Sequence, residues 1–106
     1  MDIYHIWADL KDGHDAKTFA DDLNAYLGHL RDRGLIERWR LTRRKLGLAP
    51  DWACEFHIMV ETTDMAQLDA AFQSAASHEG KVEELHSKVY SAVRKVQFAL
   101  YRDWPD

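Results

Sequence analysis

Four short segments of the chain alternate apolar and polar residues, and this alternation constrains the fold more than any other feature of the sequence. A period of two places neighbouring side chains on opposite faces of a β-strand. The alternation predicts strands over residues 3–10, 36–46, 54–61 and 96–101. Because each segment has one apolar and one mixed face, we expect helices to cover only one side of the sheet.

The segments between these strands carry helical spacing. Apolar residues recur every three or four positions over residues 15–33, and Gly34 is placed to end that helix. A second helix should begin after Asp64, end near residues 77–80 and continue as a separate piece over 82–93. The order predicts an α+β, ferredoxin-like βαββαβ fold with a split second helix, in one domain spanning residues 1–106. Its four-stranded antiparallel sheet should have the order 4-1-3-2.

Composition narrows the classes of partner. A chain of 106 residues that is 46% hydrophobic can build a core without metal or disulfides. The single cysteine, Cys54, excludes an internal disulfide framework and favours a cytoplasmic protein. Apolar runs are too short to span a membrane, and the net charge of −4 opposes nucleic-acid binding. We therefore expect neither a membrane nor a nucleic acid as partner.

The uncovered face of the predicted sheet should carry the function. Tryptophan, tyrosine, methionine and histidine are more typical of a lined cavity or an interface than of a solvated surface. The face therefore predicts either a pocket or a subunit contact. Alternation places on it His5, Trp7, Asp9, Arg38, Arg40, Thr42, Glu55, His57, Met59, Gln97, Ala99 and Tyr101.

If this face is a pocket, its histidines supply acid–base chemistry. His57 or His5 would act as the general base, and Glu55 would fix the tautomer of the imidazole. Arg40 would bind an anionic group of the substrate. The remaining contacts to a small molecule would come from Trp7, Tyr101 and Met59.

Three alternative interpretations stay open at this point. His5, Glu55 and His57 have the composition of a two-histidine, one-carboxylate metal site, but no metal-binding motif accompanies them, and we expect neither metal nor another cofactor. In a second alternative, the open face is the subunit interface of a non-catalytic homodimeric binding or assembly module. Separately, His86 and Tyr90 lie one helical turn apart, either at a pocket mouth or at the edge of the core.

The predicted architecture resembles the dimeric α/β-barrel group, in which two ferredoxin-like sheets meet to form a barrel. The runs IYHIWADL, AYLGHL, IERWRLTRRKLGL, EFHIMVE and FALYRDWPD more closely resemble a small family of bacterial proteins of unknown function. The resemblance implies a homodimer that binds a small molecule. Group members suggest a cofactor-independent monooxygenase or isomerase acting on an aromatic or polyketide-like carbonyl compound, but they supply no catalytic residues that match this sequence.

Overall fold

A computed structural model, which describes residues 1–105, has the element order that the sequence predicts. The strands pair in the order β2-β3-β1-β4, all antiparallel, which is the predicted order 4-1-3-2 from the other edge. The ferredoxin-like prediction is confirmed. The elements are β1 (Asp2–Leu10), α1 (Ala16–Asp32), β2 (Arg38–Arg43), β3 (Phe56–Thr62), α2 (Met65–Ala76), α3 (Gly80–Tyr90) and β4 (Val93–Arg102).

Local signals fix the first helix and its packing. Asp15 caps α1 by accepting a hydrogen bond from the Thr18 N–H at 2.9 Å, and Gly34 follows the helix with a φ of +75°. The apolar stripe of α1, which includes Phe19 and Leu27, is buried against the alternate residues of β3. Within residues 1–105, no helix has the length and apolar character needed to cross a membrane.

The strand register confirms which residues share a face. His5 lies opposite Met59, and Trp7 lies opposite His57, across the β1–β3 ladder. Ile3 lies opposite Tyr101 across the β1–β4 ladder. Side chains from the outer and inner strands therefore meet on the open face, as the alternation predicts.

The observed strand bounds differ from the predicted ones by three residues at two places and by one or two residues elsewhere. β2 ends at Arg43, because the chain turns with positive φ at Leu46 (59°) and Gly47 (67°), which takes it out of the pleated conformation. β4 begins at Val93, which the helical spacing had placed in the preceding helix. The β1–β4 ladder begins earlier in β4 than the sequence alternation indicates, because Leu10 still pairs with Val93 across a register shift in β1.

The helical layer leaves the β4 edge of the sheet uncovered. Val96, Phe98 and Leu100 lie on the helix side, as predicted, but they are 42%, 57% and 49% exposed. The ring of Phe98 stacks on Tyr4 at 5.6 Å between centroids. We call Val96, Phe98 and Leu100 the β4 strip. Alternation gave its orientation correctly, but the helices do not extend far enough to bury it.

Candidate functional site

A cavity of about 390 Å³ lies between the helices and the covered face of the sheet. We call it the helix–sheet cavity. Its inner wall is formed by core side chains, among them Ile6, Leu23 and Ile58. Exposed apolar side chains of α2, α3 and β4 flank its mouth. Its volume and apolar wall are typical of a site for a small organic molecule. The mouth residues are Phe72, Tyr90, Val96 and Phe98.

His86 is the imidazole in the wall of this cavity. It follows the buried Val82 and Leu85 on α3, and its ring stacks on Tyr26 at 5.1 Å and meets Tyr90 edge-on at 4.9 Å. Burial lowers the pKa of His86, and the nearby Glu83 carboxylate opposes this only in part. The imidazole is therefore neutral at neutral pH.

The two ring nitrogens of His86 have different environments. Nδ1 is buried and has no hydrogen-bond partner within residues 1–105. A buried N–H without a partner is rare in proteins, so the favoured tautomer carries its proton on Nε2. A ligand in the helix–sheet cavity would then meet His86 as a hydrogen-bond donor.

Two tyrosines add hydroxyl groups to the same cavity. Burial, with a smaller contribution from Glu83, raises the pKa of Tyr26 to about 12, so its hydroxyl keeps its proton. Tyr90 donates its hydroxyl proton to Glu83 Oε1 at 3.3 Å, while Glu83 Oε2 lies 3.0 Å from His78 Nδ1. Glu83 thus links the cavity mouth to the break between α2 and α3.

On the open face, the two predicted histidines contact each other. His5 Nδ1 and His57 Nε2 are 2.8 Å apart, so one imidazole donates the shared proton and the other accepts it. Trp7 stacks on His57 at 4.6 Å, and Tyr101 meets His5 edge-on at 5.0 Å. Burial lowers the pKa of both histidines, and His5 lowers that of His57 further.

Glu55 does not take the place that the sequence analysis gave it. The Arg43 guanidinium donates two hydrogen bonds to Glu55 Oε2, at 3.0 and 3.2 Å. The Glu55 N–H donates to Asp9 Oδ1 at 2.8 Å. Because Glu55 stands just before β3, next to the last residue of β2, a charged guanidinium is its nearest partner, and His57 pairs with His5 instead.

The other predicted contact residues surround the histidine pair. Met59 is half-buried and lies opposite both His5 and Arg40 in the two ladders of β3. Arg40 and Tyr101 are exposed. The open face therefore brings together every predicted site residue except Glu55.

The connection between β2 and β3, residues 44–55, folds over one end of the open face. Gln97 Nε2 donates to the Trp52 carbonyl at 2.6 Å, and the Trp52 ring meets Trp7 edge-on at 5.0 Å. A cavity of about 430 Å³ lies beneath it, with Arg44 and Lys45 in its wall. The sequence indicated only a turn here, although a tryptophan among turn residues was a signal of packing.

Neither face offers a ready metal centre. Within residues 1–105, no group of three or more histidine, cysteine, aspartate or glutamate side chains is arranged to hold a metal ion. Cys54 is buried, and burial raises the pKa of its thiol, which suits a packing role rather than that of a nucleophile.

Comparison with known proteins gives a family without an assigned activity. All residues, 1–106, match the model of a family of unknown function, DUF6614. The chain belongs to this family. The predicted resemblance to a family of unknown function is confirmed, and no curated protein matches the chain.

Solved structures with the same fold come from distant proteins. A dimeric ferredoxin-like protein of unknown function from Jannaschia matches with a TM-score of 0.69 at 12% identity, covering 97% of this chain and 100% of that one. Hydroxynitrile lyase from Passiflora edulis matches with a TM-score of 0.67 at 13% identity, covering 94% of this chain and 90% of that one. SnoaB, a cofactor-independent oxygenase from Streptomyces nogalater, matches with a TM-score of 0.67 at 9% identity, covering 99% of this chain and 96% of that one. At these identities the likeness supports the fold alone.

Proposed function

We propose that this protein is a homodimer that binds a small, largely apolar carbonyl compound in the helix–sheet cavity of each subunit and polarises the carbonyl group with His86. The observation that carries the proposal is the environment of His86. Its Nδ1 is buried without a partner, and its ring lies in the wall of an otherwise apolar cavity. Because Nδ1 is enclosed and carries no proton, Nε2 is the nitrogen left to donate a hydrogen bond to a ligand in the cavity.

The chemistry follows from the protonation states of the cavity groups. A neutral imidazole that donates to a carbonyl oxygen stabilises the negative charge that develops on this oxygen when a base from solvent takes a proton from the adjacent carbon. Tyr26, protonated because its pKa is raised to about 12, supplies a second donor in the same wall. Two neutral donors suit isomerisation or lyase chemistry through an enolate or another oxyanion without a cofactor, and oxygenase chemistry if dioxygen is the oxidant that reacts with the enolate.

The homodimer is supported by the fold and by the open face. The Jannaschia protein, which this chain covers almost completely, is described as dimeric. The open face presents Trp7, Met59 and Tyr101 outside the helical layer, and aromatic residues and methionine are enriched in protein interfaces. Two such faces packed together would form the barrel that the sequence resemblance implies.

The hydrogen bond between His5 and His57 favours a second candidate function, acid–base chemistry on the open face. In it His57 is the general base and His5, rather than Glu55, holds its ring. The substrate contacts would be those expected from the sequence, provided by Trp7, Arg40, Met59 and Tyr101. The cavity is preferred because its imidazole has an unused nitrogen, whereas each open-face imidazole already has a partner.

Matched histidine variants separate the two candidates. We expect His86→Phe, which keeps a flat ring, to weaken binding of 2-acetylnaphthalene about tenfold through the lost hydrogen bond. It should also slow exchange of the acetyl protons with D₂O, followed by NMR. His57→Phe should leave both measurements unchanged. The reverse pattern would support the open-face function, and two unaffected variants with normal melting temperatures would refute both.

A further inference from the structure

Two groups of exposed apolar side chains are relevant to how the helix–sheet cavity is covered. One is the β4 strip, which borders the mouth of the helix–sheet cavity. The other is the tip of the β2–β3 connection, where Leu46 and Leu48 are 84% and 78% exposed. Leu46 has a φ of 59°, which bulky residues rarely adopt, so this tip is held in a defined conformation. Exposed apolar groups of this size are typical of a contact with another molecule.

Both features lie at the same end of the sheet, on opposite edges. Arg43, the last residue of β2, pairs with Phe56; Phe56 pairs with Ala8, and Ala8 pairs with Val96 near the start of β4. Three antiparallel pairings separate the two edge strands, so β2 and β4 also run in opposite directions.

The two-fold symmetry of a homodimer then determines which strand of the partner subunit lies beside each edge strand of the sheet. When two open faces pack about a two-fold axis parallel to the strands, β2 of one subunit lies along β4 of the other, antiparallel, and the barrel can close. The other axis in the plane between the sheets brings β2 against β2. It would place Arg38 and Arg40 of one subunit close to the same arginines of its partner, which is unfavourable. The first arrangement places the β2–β3 connection of one subunit beside the start of its partner's β4.

We propose that Leu46 and Leu48 of one subunit pack on the β4 strip of its partner and close the mouth of the partner's helix–sheet cavity. This inference rests on the homodimer of the proposed function. Leu46 stands three residues beyond β2, and Leu48 turns back to donate its N–H to the Lys45 carbonyl at 3.1 Å. The three residues to Leu46 reach roughly 10 Å at most, at about 3.3 Å per residue. That reach exceeds the strand spacing of about 4.8 Å that they must cross. The cavity is then complete only in the dimer, and the partner's loop controls ligand exchange.

Disulfide trapping tests the contact directly. In a Cys54→Ala background, Leu48→Cys combined with Phe98→Cys should give a covalent dimer on oxidation, seen on a non-reducing gel. Leu48→Cys combined with Asp69→Cys, an exposed position on α2, is the matched control and should stay monomeric on the gel. A bridge within one chain would not produce a dimer band.

The outcomes separate this inference from the function on which it rests. A dimer in light scattering that gives no cross-link between positions 48 and 98 overturns the loop contact and leaves the homodimer intact. A monomer at micromolar concentration overturns the homodimer and the loop contact together, whereas the comparison of His86→Phe with His57→Phe tests the cavity independently.

Ligand exchange provides a second readout. The double variant Leu46→Ser, Leu48→Ser should release 2-acetylnaphthalene about tenfold faster than the protein itself, because serine cannot seal an apolar mouth. Leu46→Met with Leu48→Met keeps the apolar surface and should change the release rate little. Equal release rates for the serine variant and the protein itself would overturn the proposal.

Discussion

The two faces of the sheet use polar groups in opposite ways. On the covered face the core is apolar, and the buried His86 Nδ1 stands without a partner beside a cavity. On the open face polar groups are common, but they satisfy one another: His5 with His57, Arg38 with Glu61, and Gln97 with the Trp52 carbonyl. A concentration of polar residues is therefore a weaker indicator of a ligand than one polar atom left unsatisfied.

The largest effect should come from neighbouring residues of β3 that point to opposite faces. Ile58, only 2% exposed, packs in the core, whereas Met59 is half-buried on the open face. Ile58→Ala should lower the free energy of unfolding by about 2 to 5 kcal/mol, and Met59→Ala by about 1 kcal/mol. Urea denaturation at one protein concentration measures both.

The control for this pair is protein concentration. If the open face is a subunit interface, the cost of Met59→Ala should depend on concentration, because dimerisation contributes to the stability measured. If both variants lose the same free energy of unfolding at every concentration, both faces of the sheet are buried alike within one subunit. The proposed difference between the two faces would then be wrong.

Periodicity was enough to predict the fold, because orientation depends only on local alternation. A period of two gave the face of each strand residue, and the helical spacing in α1 gave its buried stripe. Alternation could not show how far the helices extend, and so Val96 and Phe98 are on the predicted side yet exposed. Whether the helices bury a strand residue depends on tertiary packing, which no single segment of the sequence encodes.

The candidate site was harder to predict because it depends on competition between partners. Sequence spacing put Glu55 and His57 on one strand, but it could not show that Arg43 would bind the carboxylate first. The spacing of His86 and Tyr90 was compatible with a pocket mouth and equally with the edge of the core. Tyr26 gave no signal beyond its place in an apolar stripe. Unsatisfied atoms and their neighbours are properties of the folded chain alone.

An intermediate effect should appear on mild acidification. Burial lowers the pKa of His5, His57 and His86 in the folded protein, so the unfolded chain binds protons first as the pH falls. This stability is fully present above the unfolded pKa of about 6.5 and is lost as the pH falls below it. We expect the free energy of unfolding to decrease between pH 7.5 and pH 5.

Replacing the histidines with phenylalanine shows how much of this pH dependence comes from each face of the sheet. His86→Phe should remove the contribution of the cavity, and His5→Phe with His57→Phe should remove that of the open face, each measured by urea denaturation at both pH values. An unchanged pH dependence in all of these variants would mean that other groups cause the loss.

The smallest effects test the partners of Glu55. A double-mutant cycle of Arg43→Met with Glu55→Gln should give a coupling of about 0.2 to 1 kcal/mol, the usual range for an ion pair near the surface. A cycle of Glu55→Gln with His57→Phe should give less than about 0.3 kcal/mol, because independent sites are nearly additive. If Glu55 couples more strongly to His57 than to Arg43, the carboxylate holds the imidazole as the sequence first suggested. The open face would then regain a general base with its own orienting group, and the preference for the helix–sheet cavity would weaken.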